Sequence, residues 1–246
     1  MEDIPKLSLR KLADKIHKQE ISPVELMEHV LSRIDETNGD LNAIVTMVDR
    51  DILLSQAKES EKRVMNKEAG PLEGIPLGVK DLEDAKGLVT SMGSVPFRDN
   101  VAEKDSIQVE RLKKAGAIVV GKTNAPEFGY TAITKNLVYG VTRSPWNLDR
   151  SPGGSSGGSA AALAGGILPL VTSSDGGGSV RIPASFVGAF GLKPSFGRVP
   201  TGPIEYWDYG DTTHYGMITK TVEDAAYFLD QVAGPSPYDP NSLPAP

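Results

Sequence analysis

The sequence predicts an α/β fold in which helices come first and strands then alternate with helices. Helical patterns dominate the first seventy residues. The first helix carries four apolar residues on one face: Leu9, Leu12, Ala13 and Ile16. After residue 70, buried-strand patterns alternate with capped amphipathic helices, which is typical of α/β proteins. Between residues 153 and 191 the composition shifts to small residues, and two Gly-Ser clusters each precede an apolar run that favours a helix.

The second helix has clear signals at both ends. Ser22 is placed to cap its N-terminus, with Pro23 in the first turn and Glu25 as the return arm of a capping box. The Asn38-Gly39 pair is expected to stop the helix, because both residues disfavour its continuation.

The remaining elements divide the chain into three parts. Strands are predicted over 41–48, 75–80 and 117–123, and helices over about 50–66, 105–116 and 221–234. We expect a helical segment (1–70) packed on a core (71–234), followed by a Pro-rich tail or linker (235–246) that has five Pro in twelve residues. No internal repeat is visible.

Composition excludes several classes of function. The net charge of -6 and the lack of any basic run argue against a nucleic-acid partner. The absence of Cys excludes disulfides, thiolate zinc sites and Cys nucleophiles, and it favours a cytoplasmic location. The longest apolar run, from Ala160 to Val171, is too short to span a bilayer and contains Pro169, so we expect no membrane partner.

Two short motifs match known patterns in the wrong context. Residues 116–123, GAIVVGKT, fit the phosphate-loop pattern, but the four residues between the glycines are apolar and predict a strand. Pro126 also prevents a helix from starting directly after the motif. The pair Ser55 and Lys58 fits a Ser-x-x-Lys pattern, yet it lies on a charged helix without companion motifs. A solvated helix face explains it better.

A third match provides an alternative reading of the active site. Residues 154–158, GSSGG, fit the nucleophile elbow of α/β-hydrolases, with Ser156 as the nucleophile. Asp208 or Asp211 and then His214 follow in the order of an esterase triad. The weakness of this reading is His214, which is expected in a polar loop rich in Gly and Thr, where a solvated His is common.

Three further features belong together. Lys80 lies in the apolar context GIPLGVKD, where burying a charge is costly unless the residue has a task or a partner such as Asp81 or Asp84. Residues 151–166 carry hydroxyl groups on a backbone with little side-chain bulk, next to a predicted helix N-terminus. Residues 173–185 place three Gly before Ser179 at the start of another helix, where unobstructed N–H groups can stabilise an oxyanion.

These features resemble the amidase signature family. The resemblance rests on GVKD around Lys80, on the GGSSGGS block, and on DGGGSVRIPASFVGAFGLKPSFGRVP, in that order. It extends through GKTNAPEFG and TRSPWN to most of the chain after residue 70. The resemblance implies a mixed sheet flanked by helices on both faces, no metal or organic cofactor, and hydrolysis of a small-molecule carboxylic amide.

The resemblance also implies a role for individual residues. Ser179 is the expected nucleophile, Ser155 the bridging serine after a cis peptide bond from Gly154, and Lys80 the terminal base. The N–H groups of the DGGGS segment are expected to form the oxyanion hole, namely those of Gly176, Gly177, Gly178 and Ser179. Three residues are expected in supporting roles: Ser156, Asp175 and Arg181.

The expected chemistry requires a lysine with a lowered pKa. A free Lys has a pKa of about 10.4, so roughly one molecule in a thousand is neutral at pH 7. Burial can lower the pKa by the required amount of about three units. Neutral Lys80 would then draw a proton from Ser155, which draws one from Ser179 as it attacks the amide carbonyl.

The family resemblance raises two further expectations. Members of the family are considerably longer, so this chain resembles their catalytic half, and we expect either self-association or association with a missing later half. The family also includes the subunit that amidates misacylated tRNA, and that subunit typically has Gln where this chain has Ile182. We therefore favour a stand-alone amidase over a partner-dependent subunit or an inactive fragment.

Overall fold

The protein is described by a computed structural model that covers residues 4–203 and 212–244. The strands are β1 (Ile44–Met47), β2 (Pro76–Lys80), β3 (Ile118–Thr123), β4 (Lys135–Asn136), β5 (Gly140–Val141), β6 (Leu170–Asp175), β7 (Phe190–Leu192) and β8 (His214–Thr219). The helices are α1 (Leu9–His17), α2 (Pro23–Leu41), α3 (Arg50–Met65), α4 (Ile107–Lys114), α5 (Gly157–Ala164), α6 (Arg181–Val187) and α7 (Val222–Val232). None of the described helices is both long and apolar enough to span a bilayer.

A mixed sheet of six strands forms the centre of the molecule, in the order β1-β3-β2-β6-β8-β7. Strand β2 runs parallel to β3 and β6, whereas the β1–β3, β6–β8 and β7–β8 pairs are antiparallel. The short strands β4 and β5 form a separate antiparallel pair. The predicted mixed α/β fold is confirmed.

Helices cover both faces of this sheet, and alternate strand residues contribute to two separate hydrophobic clusters. On β6, Leu170 belongs to the cluster with α1, α4 and α7, and its neighbour Val171 belongs to the cluster with α2, α3, α5 and α6. Met217 and Ile218 on β8 divide in the same way. This is the period-two alternation of a strand that is buried on both sides.

The predicted stop of α2 at Asn38-Gly39 is wrong, because the helix continues for two residues beyond Gly39. Leu41 is its last residue, and the C-cap Asn42 has a left-handed backbone with φ 49°. The side-chain carbonyl of Asn38 accepts hydrogen bonds from the N–H groups of Ala43 and Ile44 at 3.0 and 2.9 Å. Asn38 therefore stabilises the turn after the helix with its side chain, and its own backbone stays helical.

The two ends of the chain both contact the core. Strand β1 of the N-terminal segment pairs with β3 as an edge strand of the central sheet. In the Pro-rich segment, Leu243 donates to the carbonyl of Gly197 at 2.8 Å, and Asp239 accepts from the N–H of Thr201 at 2.9 Å. The three-part division at residues 70 and 234 stays a prediction.

Candidate active site

Lys80 is the last residue of β2, and its side chain is 1% exposed. Its amine donates to Ser155 Oγ at 2.8 Å, to Ser174 Oγ at 3.0 Å and to the Ser174 carbonyl at 3.3 Å. Strands β2 and β6 are parallel, so their carboxyl ends lie at the same edge of the sheet, where side chains from both can meet. Lys80 is thus surrounded by oxygen atoms without formal charge.

Burial lowers the pKa of Lys80 to about 7, against the opposing charges of Glu83 and Asp175. Among the described residues, no carboxylate forms an ion pair with its amine. The alternative partner Asp81 lies instead 3.7 Å from the amine of Lys122 and accepts a hydrogen bond from the hydroxyl of Ser91. The Lys80 amine can therefore be neutral close to physiological pH.

Ser155 follows a cis peptide bond from Gly154, as the resemblance implies, and is almost fully buried. The glycines around it pack closely against neighbouring backbone. A Cβ at Gly158 would lie 2.2 Å from the backbone nitrogen of Asn124, and one at Gly154 would lie 3.0 Å from the Thr131 carbonyl oxygen. Close backbone contact therefore accounts for Gly154 and Gly158, whereas a Cβ at Gly157 would meet the Thr134 side chain and Gly153 has a positive φ of 84°.

Ser179 lies between β6 and α6 and is partly exposed. Its carbonyl accepts a hydrogen bond from the Ser156 N–H at 3.2 Å, which joins the two Gly-Ser segments. Within residues 4–203 and 212–244, the Ser179 hydroxyl has no hydrogen-bond partner. The structure thus brings Lys80 and Ser155 together, and the hydrogen bond expected between Ser155 and Ser179 is not formed.

The backbone N–H groups of the DGGGS segment fall into two sets. Gly178 donates its N–H to Asp175 Oδ1 at 2.7 Å, so this donor is occupied. The N–H groups of Gly176, Gly177 and Ser179 have no acceptor within the part of the chain that the structure describes. Of the four donors expected from the sequence, Gly178 therefore has a different partner.

Asp175 organises the turn from β6 into α6. Its carboxylate accepts hydrogen bonds from the N–H groups of Gly178 and Val180 and two from the guanidinium of Arg181, both at 2.9 Å. Burial acts to raise the pKa of Asp175, but these hydrogen bonds outweigh it and lower the pKa to about 2. Asp175 is therefore ionised, and it holds the segment that contains Ser179.

Ser156 and His214 do not meet in the structure. The buried Ser156 hydroxyl donates to the carbonyl of Ser174 at 3.3 Å. His214, expected in a loop, is the first residue of β8, and its Nδ1 lies 2.8 Å from the carbonyl of Thr212. That expectation was wrong because pairing with Asp175 across the sheet, which no local pattern announces, extends the strand to His214. Asp208 and Asp211 lie outside the described residues.

Three residues around Lys80 were not singled out by the sequence analysis. Thr172 accepts a hydrogen bond from the Lys80 N–H at 2.9 Å, and Ser174 accepts from the amine. The available signal was the spacing of hydroxyl residues two apart on a buried strand, which places both on one face. The third is the buried Glu83 in the turn after β2, which lies among charged residues in sequence, so no local pattern indicated that it would be buried.

The chain matches a known protein family over most of its length. The Amidase family model matches residues 25–246. This chain belongs to the amidase signature family. The resemblance stated from the sequence is confirmed, and the reading as an α/β-hydrolase esterase with Ser156 and His214 is wrong.

Relatives in the amidase signature family include both an acylamidase and a component of an amidotransferase. The acylamidase, of Rhodococcus erythropolis, is 42% identical over 241 residues, which is 96% of this chain and 50% of that protein. A glutamyl-tRNA(Gln) amidotransferase subunit of Coxiella burnetii is 40% identical over 237 residues, 96% of this chain and 48% of its own length. The chain thus spans about half the length of these relatives.

Solved structures of the amidase signature family have the same fold. A bacterial aryl acylamidase of the family superimposes with a TM-score of 0.92 at 34% identity, over 97% of this chain and 50% of that chain. A 6-aminohexanoate cyclic dimer hydrolase with bound substrate gives a TM-score of 0.85 at 33% identity, over 99% and 49% of the two chains.

Proposed function

We propose that this chain carries the catalytic half of an amidase that hydrolyses carboxylic amides through a Ser179 acyl-enzyme, with Ser155 as the bridging serine and Lys80 as the base. The observation that carries the proposal is the 2.8 Å hydrogen bond from the Lys80 amine to Ser155 Oγ. It lies in a buried site where the pKa of Lys80 is lowered to about 7. A neutral amine in that position can accept a proton from a serine hydroxyl.

In acylation, the Ser179 oxygen forms a bond to the amide carbonyl carbon while its proton passes to Ser155 and the Ser155 proton passes to Lys80. The carbon–nitrogen bond then breaks as the proton returns through Ser155 to the leaving nitrogen. Water attacks the acyl-enzyme by the same route and releases the acid. The scheme requires the Ser179 hydroxyl to turn toward Ser155, and this hydroxyl makes no hydrogen bond to any described residue that would hold it elsewhere.

The oxyanion of the tetrahedral intermediate would be bound by backbone N–H groups. Gly176, Gly177 and Ser179 offer donors without an acceptor in the described structure, whereas the Gly178 N–H already donates to Asp175. We assign the oxyanion hole to the first three residues and give Gly178 the task of holding the segment in place. Fixed donors of this kind stabilise the charge without reorganisation.

A small amide is the proposed substrate, because two relatives are named as acylamidases. A partner-dependent amidotransferase component is the second candidate, supported by the 40% identity to the glutamyl-tRNA(Gln) amidotransferase subunit of Coxiella burnetii. Ile182, where that subunit typically has Gln, favours the first candidate. Hydrolysis of an anilide by this chain alone supports the stand-alone enzyme. Labelling of Ser179 without any amide turnover supports the partner-dependent component.

The test is covalent labelling with a fluorophosphonate, followed by peptide mapping of the modified serine. The Ser179 oxygen forms a bond to phosphorus, fluoride leaves, and the serine proton passes to the base. We expect modification at Ser179, its loss in Ser179→Ala, and normal labelling in the control Ser185→Ala, which changes an exposed serine on the following helix. Modification at Ser156, or none at all, would refute the assignment.

Association with a further polypeptide is part of the proposal. Large side chains on the described surface are more than half exposed, among them Tyr130, Leu137, Trp146 and Phe186. Exposed apolar surface of this kind commonly binds a partner. Light scattering is expected to show self-association of the chain, and a stable monomer at high concentration would contradict it. Cytoplasmic location stays a prediction from the lack of Cys.

A further inference from the structure

Glu83 is held beside Lys80 by the turn that follows β2. The Glu83 N–H donates to the Lys80 carbonyl at 2.9 Å, and the Glu83 carbonyl accepts a hydrogen bond from the Lys122 amine at 2.6 Å. Both ends of the turn are therefore fixed by buried contacts. The Glu83 side chain, 2% exposed, cannot reach solvent without disrupting them.

The Glu83 carboxyl group is only half satisfied. Its Oε1 accepts a hydrogen bond from the Ser106 hydroxyl at 2.7 Å. Its Oε2 is buried and makes no hydrogen bond of normal geometry to a described residue, although the Thr172 hydroxyl is close enough to lower the pKa of Glu83. A buried carboxyl oxygen without a well-formed hydrogen bond destabilises the fold, so a role other than stability is sought for Glu83.

The other charged groups around Lys80 have ion-pair partners of their own. Asp175, at the end of β6, is paired with Arg181. Lys122, on β3, is paired with Asp81, and Asp84 adds a further negative charge near Lys122. Glu83 has no ion pair within the described part of the chain, and its charge acts on both buried lysines.

We propose that Glu83 is a positioning residue of the amidase site, acting as the counter-ion that stabilises the Lys80 ammonium group formed when Lys80 accepts the proton of Ser155. The inference rests on the proposed function, because it assumes that Lys80 is the base. The role resembles that of the acid in a serine protease triad, which stabilises the imidazolium without touching the substrate.

The titration of the two groups agrees with this role. Burial lowers the pKa of Lys80 to about 7 and raises the pKa of Glu83 to about 7. The charge of Glu83 opposes the effect of burial on Lys80, and the hydrogen bonds of Glu83 and then the charges of Lys122 and Lys80 oppose the effect of burial on Glu83. Near neutral pH the two groups therefore titrate as a coupled pair, in which a proton on the lysine favours an ionised carboxylate.

The decisive measurement is the pKa of the Lys80 amine, obtained by NMR of protein labelled at the lysine side chains, with Lys80→Met identifying the signal. Glu83→Gln removes the charge and keeps the shape. The Lys80 pKa is expected to fall by about one pH unit or more, because an opposite charge at close range favours the ammonium form. Glu83→Asp keeps the charge, so its Lys80 pKa is expected closer to wild type than to Glu83→Gln.

Glu73→Gln is the matched control, because Glu73 is equally buried but pairs with Arg63. It is expected to leave the Lys80 titration unchanged. The rate of Ser179 labelling by the fluorophosphonate provides a second readout. In Glu83→Gln the fall of the labelling rate at acid pH is expected to occur at lower pH, because the Lys80 amine stays neutral over a wider pH range. The maximal labelling rate is expected to be lower than in wild type, because the amine is a weaker base.

An unchanged Lys80 pKa in Glu83→Gln, or equal values in Glu83→Gln and Glu83→Asp, would overturn the inference even if labelling slows. The experiment also distinguishes failure of the Glu83 inference from failure of the proposed function. If the Lys80 pKa falls in Glu83→Gln while wild-type Ser179 is never labelled, the coupling of Glu83 to Lys80 stands and the proposed nucleophile is wrong.

Discussion

Two buried lysines lie on neighbouring parallel strands of this protein, and among the described residues only one of them has a carboxylate beside its amine. Lys80, on β2, donates to two serine hydroxyls and a carbonyl. Lys122, on β3, is 0% exposed, lies 3.7 Å from Asp81 Oδ1, and donates to the hydroxyl of Thr90 at 2.8 Å. The two side chains are therefore equally buried, but different groups surround their amines.

The contrast shows that burial alone does not make a lysine a base. Burial lowers the pKa of Lys122 as well, and the charge of Asp81 is the first of those that oppose this effect. At Lys80 the opposing charges are not in direct contact, so the pKa reaches about 7. A carboxylate beside the amine favours a structural cation, whereas an amine that contacts hydroxyls and a carbonyl without a carboxylate favours a proton acceptor.

The largest effect is expected from removing the amine of Lys80. Lys80→Met should slow anilide hydrolysis and fluorophosphonate labelling of Ser179 by about 10⁴-fold, at the upper end of what a general base contributes. Lys86→Met, at an exposed position six residues later, is the control and should react as wild type. Labelling of Lys80→Met at the wild-type rate would remove Lys80 from the mechanism.

Lys122→Met is expected to affect stability. It leaves the buried carboxylate of Asp81 without its cation, and breaking a buried pair from one side costs about 3–5 kcal/mol. Urea unfolding followed by circular dichroism measures this loss. The double variant Lys122→Met/Asp81→Asn should recover part of it, because the unpaired charge is removed. If Lys122→Met unfolds at the same urea concentration as wild type, Lys122 does not have the structural role that distinguishes it from Lys80.

The pH dependence of labelling should report Lys80 and not Lys122. The pKa of Lys80 is lowered to about 7, so its neutral form is lost as the pH falls through that value. The labelling rate is expected to fall about tenfold per pH unit below pH 7 and to be constant above it. Rates measured from pH 5 to 10 test this. A midpoint near the ordinary lysine value of about 10.4 would show that Lys80 is not the group that titrates.

The smallest effect is expected from His214→Ala. The imidazole ring contacts Phe196 edge-on, with 5.5 Å between ring centroids, and its Nδ1 lies beside the Thr212 carbonyl. Neither contact reaches the serines. The labelling rate should therefore stay within about twofold of wild type, as for surface substitutions worth less than about 0.5 kcal/mol. A fall in the labelling rate as large as that of Lys80→Met would identify His214 as a base and contradict the assignment of that role to Lys80.

Local sequence signals determined most of the elements correctly. The hydroxyls of Ser22, Ser106 and Thr221 cap the helices that follow them, because capping depends on residues within one turn. The strand predicted in place of a phosphate loop at residues 116–123 is also observed, as β3. These features depend on neighbours in sequence, so a single sequence contains the information that decides them.

The identity of the buried base and its partners was decided by tertiary structure. Lys80 meets Ser155 across 75 positions of sequence and Ser174 across 94, and no local pattern predicts Ser174 as a partner. The sequence predicted Lys80 from its apolar surroundings and from family motifs, and Lys122 has apolar surroundings too. What separates them is the face of the sheet, because Lys122 lies opposite Val79 and not opposite Lys80, and successive residues of a strand point to opposite faces. Desolvation and hydrogen bonding act through space and not along the chain.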